Sequence, residues 1–381
     1  MKFHLPRLGN SPYRLEKPED VATPRLILFE DRIQANIQQM RALLAAQHLD
    51  LSFRNLCPHV KTHKSAYITG LLKNEGISFF KSSLNEVDLL VKCGVDKIFI
   101  AYPLLLHDAR RLFSWMQEND KIEWFVQISH PAHVDILKQT MPATIPALYY
   151  YLDIDVGMHR TGASPDSALQ LCRYAEKMNG LRFAGIHAYA GHNHSAEASE
   201  RQHIAHQSMT DLLWCKNRFT REGINVPSVM IGGTPGFLAD LEVLSQANPE
   251  MTLFVSPGTW IYSDSDHAGI LDNTFEVAAL LLAQVVDLPA EGLATLNIGH
   301  KRWSIDQGLP DVFNEADVRI KSFSEEHTVL ALPAGKNLNI GDYILMAPKH
   351  VCSTVNLWEY GILVDSEGQI KQTIQIDARN R

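Results

Sequence analysis

The chain of 381 residues is predicted to be an α/β protein, a (β/α)8 TIM-like barrel followed by a β-rich C-terminal domain. Three observations predict this. Eight short apolar runs, rich in β-branched and aromatic residues, alternate with amphipathic stretches of helical period between residues 55 and 255. No G-x-G-x-x-G follows the first run, which weighs against a doubly wound open sheet, the main rival. After about Asp264 the helical periods thin out, and strand-like runs separated by turn residues take over.

The runs are 55–61, 77–82, 97–101, 122–128, 148–153, 183–189, 228–232 and 252–255. Helical periods fall between them at 83–93, 105–116, 167–178 and 196–221. Strands alternating with helices imply a parallel sheet, and eight such units suit a closed barrel. Further strands are expected at 275–286, 293–298, 328–332 and 343–347, with a turn at Asn339-Ile340-Gly341-Asp342. Run 24–29 precedes the first helix and is expected to join the C-terminal sheet. The division is an arm at 1–22, a barrel at 23–265 and a β domain at 266–381.

Composition narrows the function. Hydrophobic residues make up 45% and charged residues 20%, ordinary for a globular chain large enough to fold without staples. A net charge of −8, with Lys and Arg dispersed, gives no footprint for nucleic acid. Cys57, Cys93, Cys172, Cys215 and Cys352 are odd in number and lack CxxC spacing, which fits a reducing cytoplasm better than a disulfide framework. No apolar h-region opens the chain and no membrane-length apolar run occurs, so neither secretion nor a membrane span is expected.

Three motifs carry chemistry. Pro58-His59-Val60-Lys61-Thr62-His63-Lys64 ends the first run, and barrels place their chemistry at the C-terminal strand ends. A lysine aimed into such a site is a nucleophile able to form an imine with an aldehyde; a basic, solvated loop is the alternative. Gly232-Gly233-Thr234-Pro235-Gly236 follows the seventh run. Its glycines let backbone N–H groups approach an anion, unless it is a plain strand-to-helix turn. His350-Val351-Cys352 pairs two Zn²⁺ ligands which, on an extended segment, face the same side. A buried cysteine beside an incidental histidine is the other explanation.

Pro58–Lys64 resembles the PHVKTHK signature of the alanine racemase-like, fold-type III pyridoxal-5′-phosphate (PLP) enzymes, in the D-threonine aldolase and D-serine dehydratase branch. Four other stretches resemble that branch in the expected order: Asp153–Gly162, Ala188–His192, Ser304–Pro310 and Ser324–His327. The resemblance covers roughly residues 20–365. It implies that Lys61 carries PLP as a Schiff base, with His59 and Lys64 lining its pocket. Arg160 would lie near the pyridine ring and its O3′, with Tyr189 also in contact. Gly233 and Thr234 would take the phosphate, helped by Ser256, Gly258 and Thr259 after the eighth strand.

The stretch around His350 and Cys352 is similar to the branch's metal motif, and thiolate favours Zn²⁺. Aldolases of the branch often carry Asp where Cys352 stands, which ranks dehydratase first. The implied activity is a PLP- and metal-dependent lyase on D-serine- or D-threonine-type β-hydroxy amino acids, releasing ammonia. A D-threonine aldolase giving glycine and an aldehyde is the alternative, then an amino acid racemase, then a PLP-binding protein without turnover. A homodimer is implied as well.

The chain departs from the branch at Cys57, where Arg is usual, and at Ser256, where a longer polar residue near the pyridine nitrogen is common. Asn297 and Lys301 match an expected D-x-G-x-K pattern only in part. His187, His192 and His194 cluster after the sixth run; three histidines in eight residues suggest a metal, but two of them are expected as pocket lining or hydrogen-bonded core, and His203 and His206 on a helix surface. Glu325, Glu326, Asp264 and Asp266 read as a solvated face. Trp260 and Tyr262 are expected near the cofactor or in an aromatic core.

Overall fold

A computed structural model describes residues 3–4, 13–247, 251–313, 315 and 317–379. Ten of the 22 residues of the arm expected at 1–22 lie outside them. The chain forms two compact units, one of residues 41–61 and 68–258, the other of 1–40, 62–67 and 259–381.

In the first unit, seven parallel strands are hydrogen-bonded in sequence order: Phe79–Ser82, Lys97–Ile100, Glu123–Ile128, Leu148–Ile154, Leu181–Tyr189, Ser228–Gly232 and Thr252–Val255. The first expected run supplies the eighth stave. Leu56 bridges Val255 on one side, and His59 bridges Lys81 on the other. The Cys57 amide donates to Val255 O at 2.8 Å, and the Val60 amide to Lys81 O at 2.9 Å. Pro58 has no N–H to give, so this stave makes bridges in place of a ladder, yet it closes the ring.

Helices follow the strands at Leu106–Glu118, Pro131–Thr140, Pro165–Ala175, Ala198–Arg221 and Phe237–Ala247. The helix expected at 83–93 instead opens as a 3-10 turn, Leu84–Glu86, before Val87–Lys92. There the Glu86 carboxylate turns back to accept the Ser83 amide at 2.7 Å.

The barrel interior is layered because alternate strand residues face inward. One layer joins Cys57, Phe79, Phe99, Phe125, Tyr151, Ala184 and Met230. Two residues further along, toward the strands' C-terminal ends, the second, fourth, fifth, seventh and eighth staves carry Lys81, Gln127, Asp153, Gly232 and Ser256. The sixth strand reaches the same level at His187, opposite Asp153. An aromatic floor thus lies beneath a polar layer.

In the second unit nine strands form one mixed sheet among the described residues. Arg25–Phe29 is central, antiparallel to Ala279–Asp287 and parallel to Tyr360–Val364, so the run at 24–29 does join the C-terminal sheet. Its inward residues Ile27 and Phe29 share a core with Tyr13, Leu280, Leu345 and Val364. Among the described residues no helix is long and apolar enough to cross a membrane.

Candidate active site

In the barrel unit, the stave 55–61 delivers His59 and Lys61 half-buried at its C-terminal end. The His59 Nδ1 accepts the Lys61 amide at 3.3 Å, which fixes the turn. The loop after the fifth strand delivers Arg160. Asp155 Oδ1 accepts the amides of Gly157 and His159 at 3.1 and 3.0 Å, and Gly157 and Gly162 take the left-handed backbone at φ +114° and +119°. A Cβ at Gly162 would lie 2.4 Å from the Asp155 amide, so only glycine allows the loop to fold back on itself.

Tyr189 ends the sixth strand, and three cations gather over its ring. The Arg160 guanidinium lies 4.9 Å from the centroid, and the amines of Lys61 and Lys81 each lie 5.9 Å away. Gly232 ends the seventh strand and Gly233 follows it. A Cβ at Gly232 would meet Ser256 Oγ at 2.8 Å and Lys81 Nζ at 3.3 Å, and Gly233 has φ +109°. Thr234 and Ser256 are buried, and Gly258 is half-buried. Backbone and cations therefore line one cradle, a donor set that suits a phosphorylated, anionic aromatic ring.

Beneath it runs a chain of hydrogen bonds that the sequence reading did not single out. Gln127 Nε2 and Thr161 Oγ1 donate to Asp153 Oδ2 at 2.6 and 2.9 Å. Asp153 Oδ1 holds His187 Nδ1 at 2.7 Å, and His187 Nε2 meets Lys81 Nζ at 2.7 Å. Lys81 also donates to Ser256 Oγ at 2.9 Å. Burial pulls the Lys81 pKa down to about 7, with further lowering from Lys61 and Arg160 and an opposing pull from Asp153. Burial, then the Lys81 charge, pulls His187 down to about 4, against the pull of Asp153. Burial pushes the Cys57 thiol well up, so it stays protonated.

The second unit holds the other predicted residues, Thr259, His350 and Cys352. The 350–356 segment is not extended as expected: Val351–Val355 is a short helix with His350 at its N-cap. Asp264 Oδ2 accepts the Val351 amide at 2.9 Å and so stabilises that helix start. The Cys352 thiol still lies in hydrogen-bonding range of His350. Asp306 Oδ2 holds His350 Nδ1 at 2.6 Å, which leaves Nε2 as the nitrogen to present to a metal.

Burial lowers the His350 pKa, but the hydrogen bond and charge of Cys352, followed by Asp306, lift it to about 9. Cys352 Sγ also lies 3.1 Å from Thr62 Oγ1 and 3.5 Å from Thr259 Oγ1. Among the described residues no group of three or more His, Cys, Asp or Glu converges as a metal site. The His–Cys pair fits a metal held by two protein ligands with open positions, as catalysis on a bound hydroxyl requires.

Other expectations resolve as follows. Asp264 is wholly buried, not on a solvated face, because it accepts two helix-start amides. Glu325 and Glu326 are exposed and pair with Lys301. His203 and His206 are exposed as expected. Trp260 and Tyr262 are buried core. Lys64 turns its amine to Ala378 O at 3.2 Å. The residues missed were Lys81, Gln127 and Asp306. For the first two, the inward spacing of two residues beyond Phe79 and Phe125 was the available signal.

Comparison with known proteins places this geometry. Residues 30–266 match the family described as alanine racemase, N-terminal domain, and residues 278–364 match the putative serine dehydratase domain. The chain belongs to the alanine racemase N-terminal domain family.

This alanine racemase-like chain is 27% identical over 368 residues to a D-threonine aldolase of Arthrobacter sp., covering 94% of the chain and 93% of the relative. The solved D-threonine aldolase from Filomicrobium marinum superposes with a TM-score of 0.84 at 26% identity, covering 94% and 96% of the two chains. The D-threo-3-hydroxyaspartate dehydratase from Delftia sp. HT23 superposes with a TM-score of 0.78 at 21% identity, covering 93% and 97%. Structures of that dehydratase include one with a histidine and one with a cysteine replaced by alanine, two positions apart, the second in a metal-free form. These aldolase and dehydratase relatives are lyases.

Proposed function

We propose that the chain is a PLP- and Zn²⁺-dependent lyase of D-β-hydroxy amino acids, acting as a D-serine- or D-threonine-type dehydratase. The observation that carries the reading is the His350–Cys352 pair held by Asp306, in a chain whose barrel gathers Lys61, Arg160 and a glycine cradle around Tyr189. Cys352 touches Thr62, the residue that directly follows Lys61 in the chain.

Lys61 would carry the cofactor covalently, with His59 beside it. The amides of Gly233, Thr234, Gly258 and Thr259 would hold its phosphate end, Ser256 would lie near its ring nitrogen, and Arg160 would neutralise its ring oxygen. His350 and Cys352 would hold the metal. When bound, the cofactor supplies an electron-withdrawing ring and the metal a Lewis acid. The residues do the rest. Lys61, as a free amine, would take the proton from Cα as a general base. Asp306 fixes the His350 tautomer, and Tyr189 covers the ring region. The protein would act as a homodimer, which light scattering on the eluted peak would report as twice the chain mass.

A second reading has its own support: the D-threonine aldolase of Arthrobacter shares more identity with the chain than the dehydratases do. In that case the Cα–Cβ bond breaks and glycine is the product. One experiment separates the two. Protein loaded with PLP and Zn²⁺ is given D-serine and D-threonine, and ammonia and glycine are measured. Ammonia without glycine supports the dehydratase; glycine from D-threonine overturns it in favour of the aldolase. Borohydride reduction followed by peptide mapping tests the cofactor assignment. A pyridoxyl group on Lys61 supports it, and one on Lys81, or none, overturns it.

A further inference from the structure

We propose that Lys81, on the second barrel strand, is a positioning residue that donates an N–H to the ring nitrogen of the bound cofactor. The inference rests on the cofactor reading above. One sequence departure lies against this amine. Ser256 is short where a longer polar side chain is common near the pyridine nitrogen, and its Oγ sits 2.9 Å from Lys81 Nζ.

Hydrogen-bond bookkeeping gives the amine its direction. The Asp153 carboxylate at 2.7 Å fixes the His187 proton on Nδ1, so Nε2 accepts from Lys81. The Ser256 hydroxyl donates its own proton to Ile231 O at 2.9 Å, so its Oγ also accepts from Lys81. These two bonds leave one of the three ammonium donors for a ligand. Gly232 keeps the space beside Nζ open, since even a Cβ there would come within 3.3 Å of it.

The cofactor's own shape supplies the rest. In a pyridoxal ring the nitrogen lies para to the aldehyde carbon, and the phenolic oxygen lies beside that carbon. Lys61 and Lys81 stand equally far, 5.9 Å, from the Tyr189 centroid, with Arg160 at 4.9 Å. With the aldehyde at Lys61 and the phenolic oxygen at Arg160, the ring nitrogen is the polar ring atom left without a partner, and Lys81 is the third cation at the Tyr189 ring. A lysine kept only as filler would be a costly choice, because an apolar side chain of equal length avoids burying an amine. A ring nitrogen that accepts this hydrogen bond is kept unprotonated, and the ring withdraws electrons less strongly.

Binding tests this without turnover. Fluorescence titration gives the dissociation constants of PLP and of its 1-deaza analogue, in which carbon replaces the ring nitrogen. They are measured for the wild type, Lys81→Met and Lys81→Gln. PLP is expected to bind the wild type at least about tenfold more tightly than the analogue, the size of a charge-assisted hydrogen bond, with the preference falling toward one in Lys81→Met. A wild-type preference near one overturns the inference, whether or not the variants fold. So does a preference that persists in a folded Lys81→Met or, should that variant not fold, undiminished in Lys81→Gln. Failure of the wild type to bind PLP at all overturns the cofactor reading beneath it.

Discussion

At the scale of single residues, the buried Lys81–His187–Asp153 chain should write itself into the pH dependence of stability. An unfolded lysine holds its proton up to 10.5, and folded Lys81 holds it only up to about 7. Between those values the unfolded chain binds the extra proton, so stability rises with pH across that window and this contribution is flat below it. His187 titrates at about 4 folded against 6.5 unfolded, so stability falls as pH drops from 6.5 toward 4. Lys61, Asp153 and Arg160 act on Lys81 and the Cys57 thiol beneath it stays neutral, so only the amine itself is lost in Lys81→Met. Urea midpoints of the cofactor-free wild type and variant, taken at about pH 7 and about pH 9, should diverge in favour of the wild type at the higher pH. A difference that does not change with pH would contradict the burial of a titrating amine.

Asp306 gives a second residue-scale prediction. It fixes His350 at 2.6 Å, so Asp306→Ala should weaken Zn²⁺ binding roughly 10–100-fold while leaving PLP binding unchanged. Competition with a chromogenic chelator measures this, and unchanged Zn²⁺ affinity would remove Asp306 from the site. The legibility of these residues followed their chemistry. Lys61, Arg160, the Gly233–Thr234 pair and His350–Cys352 could be read because each sits in a contiguous motif. Lys81 and Gln127 stand alone among apolar neighbours in strands, and Asp306 is separated from His350 by 44 residues. Only the fold brings them into contact.

At the scale of elements, the alternation of strands and helices was plain, while the local irregularities were not. The stave 55–61 reads as a strand, but Pro58 reduces it to two bridges. The 350–356 segment reads as extended, but a carboxylate from Asp264, distant in sequence, caps it into a helix. The sixth strand holds a third irregularity. Its register with Leu148–Ile154 skips Ala184, pairing Tyr150 with Phe183 and Tyr151 with Gly185. At that bulge Gly185 takes φ +143°, and a Cβ would stand 1.9 Å from Ser228 O. Gly185→Ala must therefore push the sixth and seventh strands apart, two residues before His187. A loss of about 2–3 kcal/mol in unfolding free energy is expected. A wild-type urea midpoint in this variant would mean that the barrel wall gives more easily than its hydrogen bonds imply.

At the scale of the whole molecule, the path of the chain makes the C-terminal sheet depend on the N-terminal segment. Arg25–Phe29 fills the place between Ala279–Asp287 and Tyr360–Val364, donating and accepting along both edges. Without it, two strands lose a neighbour, two apolar edges open, and the core around Leu280, Leu345 and Val364 loses Ile27 and Phe29. Tyr13 is lost as well, whose hydroxyl donates to Val277 O at 2.6 Å and whose ring packs edge-on against Phe29. A fragment of residues 259–381 should therefore fail to fold by itself, although it contains eight of the sheet's nine strands. A synthetic peptide of residues 13–40 should restore it in trans, because the missing strand pairs through backbone groups and brings its own apolar face. Circular dichroism and amide exchange on the fragment, alone and with the peptide, measure this. A cooperative transition in the fragment alone would show that the remaining strands close over the gap, and that the N-terminal segment contributes less to this sheet than its central position implies.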